Sequence, residues 1–246
     1  MEMSNNIYPN FLRCYSVFFL LLLAGNGNAM GLRSMVALPV EKQGAVFRLA
    51  YEQTKKSDIN KLTGSMAYGV SAKQTLFVAM PYRLSPTGDD RLGDVSVLYR
   101  HIVWQEDVPT GTDRLGLLGG IIAPTQSDRD AAVQLGFVAT HFANRHEIDI
   151  DALYQLGMST RDDSARYDIS WQYRLLPVVY PDWGIKPELY TVLELNGRWQ
   201  QGKQLSHQLT AGLQWVHPLF VIEGGVAQEV NNTHDQLYIL STRIHF

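Results

Sequence analysis

From residue 45 to the end of the chain, apolar and polar side chains alternate with a period of two, in runs separated by clusters of Gly, Pro, Asn, Asp and Ser. Successive side chains on a β-strand point to opposite faces, so this period marks strands with one apolar face. Twelve are predicted, over residues 45–52, 61–70, 75–83, 92–103, 114–123, 132–142, 147–156, 166–175, 188–198, 208–217, 220–229 and 237–246. In the eighth, Tyr167, Ile169, Trp171, Tyr173 and Leu175 alternate with Arg166, Asp168, Ser170, Gln172 and Arg174. The last run, LYILSTRIHF, sets Tyr238, Leu240, Thr242, Ile244 and Phe246 against Leu237, Ile239, Ser241, Arg243 and His245. Aromatic and β-branched residues dominate these runs, and a helical period is missing.

The connections also alternate in character. Those after odd-numbered strands are long and polar (QTKKSDIN, LSPTGDD, PTQSDRD, GMSTRDDSA, WQQGKQLSH, VNNTHDQ), whereas SAKQ, ANRH and the turn at Pro218 are short. Bacterial outer-membrane barrels have long extracellular loops and short periplasmic turns, and an even strand number closes the sheet without an edge in lipid. The fold class expected is therefore all-β, a transmembrane antiparallel up-and-down β-barrel of 12 strands with both termini periplasmic. Two even-numbered connections, WQEDVPTGT and LPVVYPDWGIKP, are longer than a turn. They are read as inner caps or as misplaced strand ends.

A soluble sandwich would alternate in the same way, so the positions of the aromatics matter. Tyr51, Tyr68, Tyr82, Tyr99, Trp171, Tyr173, Trp199, Trp215, Tyr238 and Phe246 fall near strand ends on the apolar face. That is where the interfacial girdles of a membrane barrel lie. With the apolar face outward, the lumen receives Arg48, Asp94, Arg100, Glu147, Asp149, Asp151, Asp168, Arg174, Glu194, Arg198, Glu223 and Arg243, together with Glu52, Glu188 and Glu229. These charges either balance one another in a wet interior or form a selectivity region. In the second reading the acidic row Glu147, Asp149, Asp151 faces Arg166, Arg174, Arg198 and Arg243 across a transverse field that favours zwitterionic or polar solutes.

The N-terminus adds an export signal. Arg13 precedes an apolar run from Cys14 to Ala24, and GNGNA follows with Gly27 and Ala29 as small residues of a cleavage site. The run is too short for a transmembrane helix, which takes about 20 residues. Residues 1–29 are thus expected to be a cleaved signal peptide, and 30–246 the barrel. Cys14 is the single cysteine, so the mature chain would have no disulfide, thiol nucleophile or Cys-based metal site. Residues Met30 to Lys42, with Arg33 and Pro39, precede the first strand, and the sequence leaves open whether they enter the lumen as a plug. A net charge of −3 and a pI near 6.1 give no reason to expect nucleic acid.

The chain has seven His residues. Ser206 and His207 adjoin on opposite faces of one strand, and His234 sits beside Asp235 in the last loop, neither a convincing nucleophile–base pair. His141, His146 and Glu147 flank one turn and offer at best a chance metal site. The pairs Gly119–Gly120 and Gly224–Gly225 lie within strands and read as bends or close packing. No enzyme activity, cofactor or metal is expected.

The segments RLGDVSVLYRHI, GLLGGIIAPTQSD, DISWQYRLLP and YPDWGIKPELYTVLELNGRW, with the terminal aromatic, resemble the outer-membrane transporter family named for the meta-pathway of phenol degradation (MetA-like). The resemblance spans Ala45 to Phe246. It implies a barrel in the outer membrane of a Gram-negative cell that passes small, often aromatic or hydrophobic, compounds, and it brings no catalytic residue. It also implies that the terminal aromatic strand, Tyr238, Leu240, Ile244 and Phe246, is read by the barrel-assembly machinery. The partners expected are outer-membrane lipid, that machinery and a small-molecule solute; oligomeric state is left open. Three functions fit such a barrel: a passive channel or facilitator, a closed-lumen structural or binding barrel, and a lipid-modifying enzyme.

Deletion of Phe246 is expected to lower the amount of assembled barrel in membranes, measured by heat-modifiable gel mobility, with pore properties of the folded fraction unchanged.

Overall fold

The computed structural model describes residues 31–88, 90–179, 186–232 and 234–246. The predicted signal peptide, residues 1–29, lies outside the described residues. Twelve antiparallel strands follow one another: β1 (Ala45–Thr54), β2 (Ile59–Ser71), β3 (Gln74–Ser85), β4 (Val95–Val108), β5 (Gly111–Ala123), β6 (Ala132–Ala143), β7 (His146–Gly157), β8 (Ser164–Leu176), β9 (Glu188–Gln200), β10 (Ser206–Val216), β11 (Phe220–Glu229) and β12 (Gln236–His245). Each pairs with its neighbours in sequence, and β1 pairs with β12 to close the barrel. The closing register runs from Val46 opposite His245 to Thr54 opposite Leu237. Ala45 and Phe246 exchange backbone hydrogen bonds of 3.1 and 2.8 Å at its end. The strand carrying the terminal aromatic is thus the seam of the sheet, as its pattern predicted.

The connections at one end are short turns apart from residues 177–187 between β8 and β9, and those at the other end are mostly longer, although β1 and β2 are joined by residues 55–58 alone. At the turn end β6 and β7 are joined by Asn144 and Arg145 alone. Asn144 takes φ 58° there, a left-handed conformation that Asn tolerates through its short polar side chain. The connection WQEDVPTGT is a misplaced strand end: β4 continues to Val108, β5 begins at Gly111, and Trp104–Val108 pairs with Gly111–Leu115. A bulge between Ile102 and Trp104 hid it. The inserted Val103 resets the alternation, so Val103 and Trp104 both face outward, 45% and 49% exposed. Of LPVVYPDWGIKP, residues 180–185 lie outside the described residues.

Which face is wet decides what kind of barrel this is. Leu117, Leu135, Leu213 and Leu240 point outward and are each more than half exposed, whereas Asp149, Asp151, Asp168 and Asn196 point inward with 0% exposure. Monomeric soluble proteins keep contiguous apolar patches small, yet here the apolar surface encircles the molecule. The outer wall is therefore built to meet hydrocarbon. Aromatic residues frame this belt near both ends, with Tyr68, Tyr99, Trp171 and Trp215 at the turn end and Tyr82, Tyr154 and Tyr238 at the loop end. The chain spans a membrane as strands, and no helix among the described residues is long and apolar enough to cross one.

Replacing Leu117, at mid-strand on the outer face, by Arg (Leu117→Arg) should cost about 2–4 kcal/mol of stability in a bilayer, read as a lowered midpoint in urea unfolding from liposomes.

Candidate functional site

The inward residues follow from parity and register. Asp149, Ser170 and Glu194 lie side by side on β7, β8 and β9, with Asp151, Asp168 and Asn196 in the next row. All six are buried. Asp149, Asp151 and Asp168 take partners from adjacent strands. Asp168 accepts from Asn196 at 2.7 Å and pairs with Arg166 and Arg198, both at 2.7 Å. Asp149 accepts from Thr140 at 2.5 Å and from Gln172 at 2.8 Å, while Asp151 pairs with Arg166 at 3.2 Å. Glu147 is buried in the same row toward the turn end, and its Oε1 has no hydrogen-bond partner; nor does the Ser170 hydroxyl. Together these side chains make one acidic wall.

The opposite wall is basic. Arg48 on β1 and Arg243 on β12 lie in register and converge on Glu223 of β11, Arg48 at 2.5 Å; Ser241 and Gln214 complete that carboxylate's shell. Arg100 on β4 is 1% exposed and stacks over Phe77 with its guanidinium carbon 5.0 Å from the ring centre. It donates to Thr75 at 3.0 Å and to two backbone carbonyls. Between the two walls, on β4 to β7, runs an apolar strip of Leu98, Ile102, Leu118, Val138 and Leu153.

Residues 31–44 occupy the space enclosed. The segment begins at mid-barrel and descends to the turn end, where it enters β1. Over residues 32–38 its backbone is held by wall side chains, and at the turn end Gln43 and Gly44 bond backbone to backbone with Gly69 of β2. On the acidic side, the N–H groups of Arg33 and Ser34 donate to Glu194 (3.2 and 3.3 Å), that of Met35 to Asp151 (2.7 Å) and that of Ala37 to Thr140 (2.8 Å). On the basic side, Arg48 donates to the carbonyl of Leu32 (2.5 Å), and Arg100 to those of Val36 and Leu38, the latter at 2.6 Å. Ala37 is fully buried against the apolar strip.

Three inward glycines make the seat. A Cβ on Gly212 or Gly225 would stand 2.5 or 2.7 Å from Leu32 Cδ1, and one on Gly69 would meet the Glu41 carbonyl at 1.9 Å. Leu32 is 1% exposed in that cradle. Below the segment, a cavity of about 360 Å³ remains between it and β1–β4 and β12, lined by Arg48, Arg100, Arg243, Phe77 and His245 among others.

The sequence-predicted lumen residues Arg48, Arg100, Glu147, Asp149, Asp151, Asp168, Arg174, Glu194, Arg198, Glu223 and Arg243 all stand on the inward face. Asp94 stands one residue before β4, at the loop rim, where Arg129 (2.9 Å) and Arg161 (2.7 Å) tie two further loops to it. The predicted opposition needs correction. Arg166, Arg174 and Arg198 belong to β8 and β9, beside the acidic row of β7, and Arg166 and Arg198 neutralise acids of that same wall. Among the basic residues named, Arg243 alone faces the acidic wall from across the barrel, with Arg48 and Arg100. Parity had marked the inward face but not the azimuth, which strand order alone supplies. Sequence reasoning also missed Thr140, Leu32, Ala37 and the glycines 69 and 212, whereas the close packing read at Gly224–Gly225 is found at Gly225.

Other polar groups stay apart. Ser206 donates inward to Glu229 at 2.5 Å, whereas His207 faces outward to the Tyr167 hydroxyl at 2.8 Å. His141 lies 2.5 Å from Asp113 on the outer face, and His146 accepts from the Trp171 indole at 3.2 Å, while Glu147 points into the lumen. Among the described residues no group of three His, Cys, Asp or Glu side chains is placed to hold a metal ion.

No family model matches the sequence, and no curated protein matches it. The fold is similar to that of solved membrane barrels. An outer membrane channel from Pseudomonas putida F1 superposes with a TM-score of 0.58 at 14% identity, covering 85% of this chain and 98% of that one. The NanC porin superposes with a TM-score of 0.53 at 12% identity, covering 80% and 98%.

Proposed function

We propose that the protein is a passive outer-membrane channel for small polar solutes, closed in its resting state by its own N-terminal segment. The observation that carries this reading is what fills the lumen. A purely structural barrel can fill its interior with side chains of its own wall. Here the filling is a length of chain, residues 32–38, held to the wall by side chains through hydrogen bonds that can be exchanged for water or solute. Its departure would leave a passage between an acidic and a basic wall, a field suited to orienting dipolar or zwitterionic molecules.

The outer-membrane location draws on the lipid-facing belt and on the likeness in fold to an outer membrane channel and a porin. By the same reasoning the short turns, the start of β1 and the end of β12 lie on the periplasmic side, and the loops outside. The resemblance to phenol-pathway transporters implies aromatic or hydrophobic cargo; the charged lumen favours polar cargo, with Phe77 and the apolar strip as the surfaces an aromatic solute would use. The second reading, a closed binding barrel, is favoured by the number of bonds the segment makes to both walls. No cofactor or energy source enters the mechanism.

Planar-bilayer recording separates these readings. The full chain should show brief, infrequent openings, and a variant lacking residues 31–42 should show sustained ones with at least several-fold higher mean conductance. Folded deletion protein that never opens would contradict the channel.

A further inference from the structure

The contacts that hold residues 32–38 share an unusual property: on the chain's side almost all belong to the main chain. In an extended chain successive residues turn their amide groups to opposite sides; the segment follows that rule from Met35 on, whereas at its start the N–H groups of Arg33 and Ser34 both turn to Glu194. The N–H groups of residues 33, 35 and 37 point to the wall of β6, β7 and β9, and the carbonyls of 32, 36 and 38 to Arg48 and Arg100. Carboxylates accept from amide hydrogens and guanidinium groups donate to carbonyls, which makes most of these bonds charge-assisted. The side-chain contributions are Arg33 with Gln208 and the Ser34 hydroxyl with Glu194; the buried Ala37 asks only for a small apolar seat.

We infer that the lumen is a binding track for extended peptide backbone, and that the solutes this channel passes are short peptides, which take the place of residues 32–38 when the segment leaves. This rests on the channel reading. Recognition of an extended peptide commonly draws affinity from main-chain hydrogen bonds and selectivity from pockets for alternate side chains. The main-chain bonds are present here on two walls, and the apolar strip between them accepts apolar side chains without setting their order. A free peptide brings in addition an ammonium group for the acidic wall and a carboxylate for Arg48 and Arg100. The Ser170 hydroxyl, fully buried between Asp149 and Glu194 and without a hydrogen-bond partner, offers one more group of the kind an incoming ammonium would engage. A sugar presents hydroxyls without this alternation of donors and acceptors, and an aromatic hydrocarbon presents none.

The test uses the variant lacking residues 31–42 in planar bilayers, with the peptide RSMVAL, a scrambled peptide of the same composition, RSMVAL with N-methyl groups on its Met and Ala, and a trisaccharide. RSMVAL and the scrambled peptide should block the current at similar concentrations. The methylated peptide, which loses the amide hydrogens given to Asp151 and Thr140, should need at least about tenfold more, and the trisaccharide should not compete. Equal block by the methylated peptide, or block by RSMVAL and not by its scramble, would overturn backbone recognition. A variant that conducts but is blocked by no peptide refutes this inference and leaves the channel standing. One that folds without conducting refutes the channel, and calorimetric titration of the same peptides into detergent-solubilised protein then decides the inference alone. Should the deletion variant fail to fold, the full chain carrying Leu32→Glu and Ala37→Glu, which drive the segment from its apolar seats, takes its place in each comparison.

Discussion

The hydrogen bonds between β1 and β12 govern this molecule. In hydrocarbon an unpaired backbone amide or carbonyl costs several kcal/mol, so a sheet survives there only without an edge. Pairing of Val46–Thr54 with Leu237–His245 removes the last edge. Closure also fixes the meaning of parity: every second side chain along every strand is committed to lipid, and the rest to an enclosed interior. Apolar residues then fall outward and charges inward, the reverse of a soluble domain.

That commitment creates a second problem, and its solution produces the site. Glu147, Asp149, Asp151, Asp168 and Glu194 crowd one wall, and Arg48, Arg100 and Arg243 the other, in an interior too small for bulk water to screen them. Neighbouring strands satisfy part of the demand, through the Glu223 and Asp168 clusters. The N-terminal segment satisfies more, because alternate residues of an extended backbone turn to opposite sides, so that N–H groups of Met35 and Ala37 reach the acidic side while carbonyls of Val36 and Leu38 reach Arg100. Arg100 illustrates the point, since its described acceptors are Thr75 and two carbonyls of the segment rather than a carboxylate. The glycines at 69, 212 and 225 answer the same demand sterically, for without them the chain could not lie close to the wall.

Strand number, faces and the closing pair were legible because one rule, period two, acts on every strand. It failed where the rule is locally broken. The bulge at Val103 put two outward residues in succession and made the end of β4 look like a loop. Placing Arg166, Arg174 and Arg198 opposite β7 was an error of azimuth, since consecutive strands of an up-and-down barrel are adjacent. Asp94 reads as an inward residue, yet Arg129 and Arg161 hold it at the loop rim. The segment 31–44 has no period at all, because its conformation is dictated by the walls around it and not by its own side chains.

The central claim is that residues 32–38 close the lumen by lying between the two walls. Ala37 and Thr140 are neighbours, the amide of one donating to the hydroxyl of the other at 2.8 Å, and a mature chain starting after Ala29 would contain no other cysteine. Bilayer conductance of the Ala37→Cys, Thr140→Cys double variant should therefore depend on redox state. The oxidised protein should be locked shut and the reduced protein should open as the unmodified chain does. Openings of equal frequency and size in a fully cross-linked sample would contradict the account.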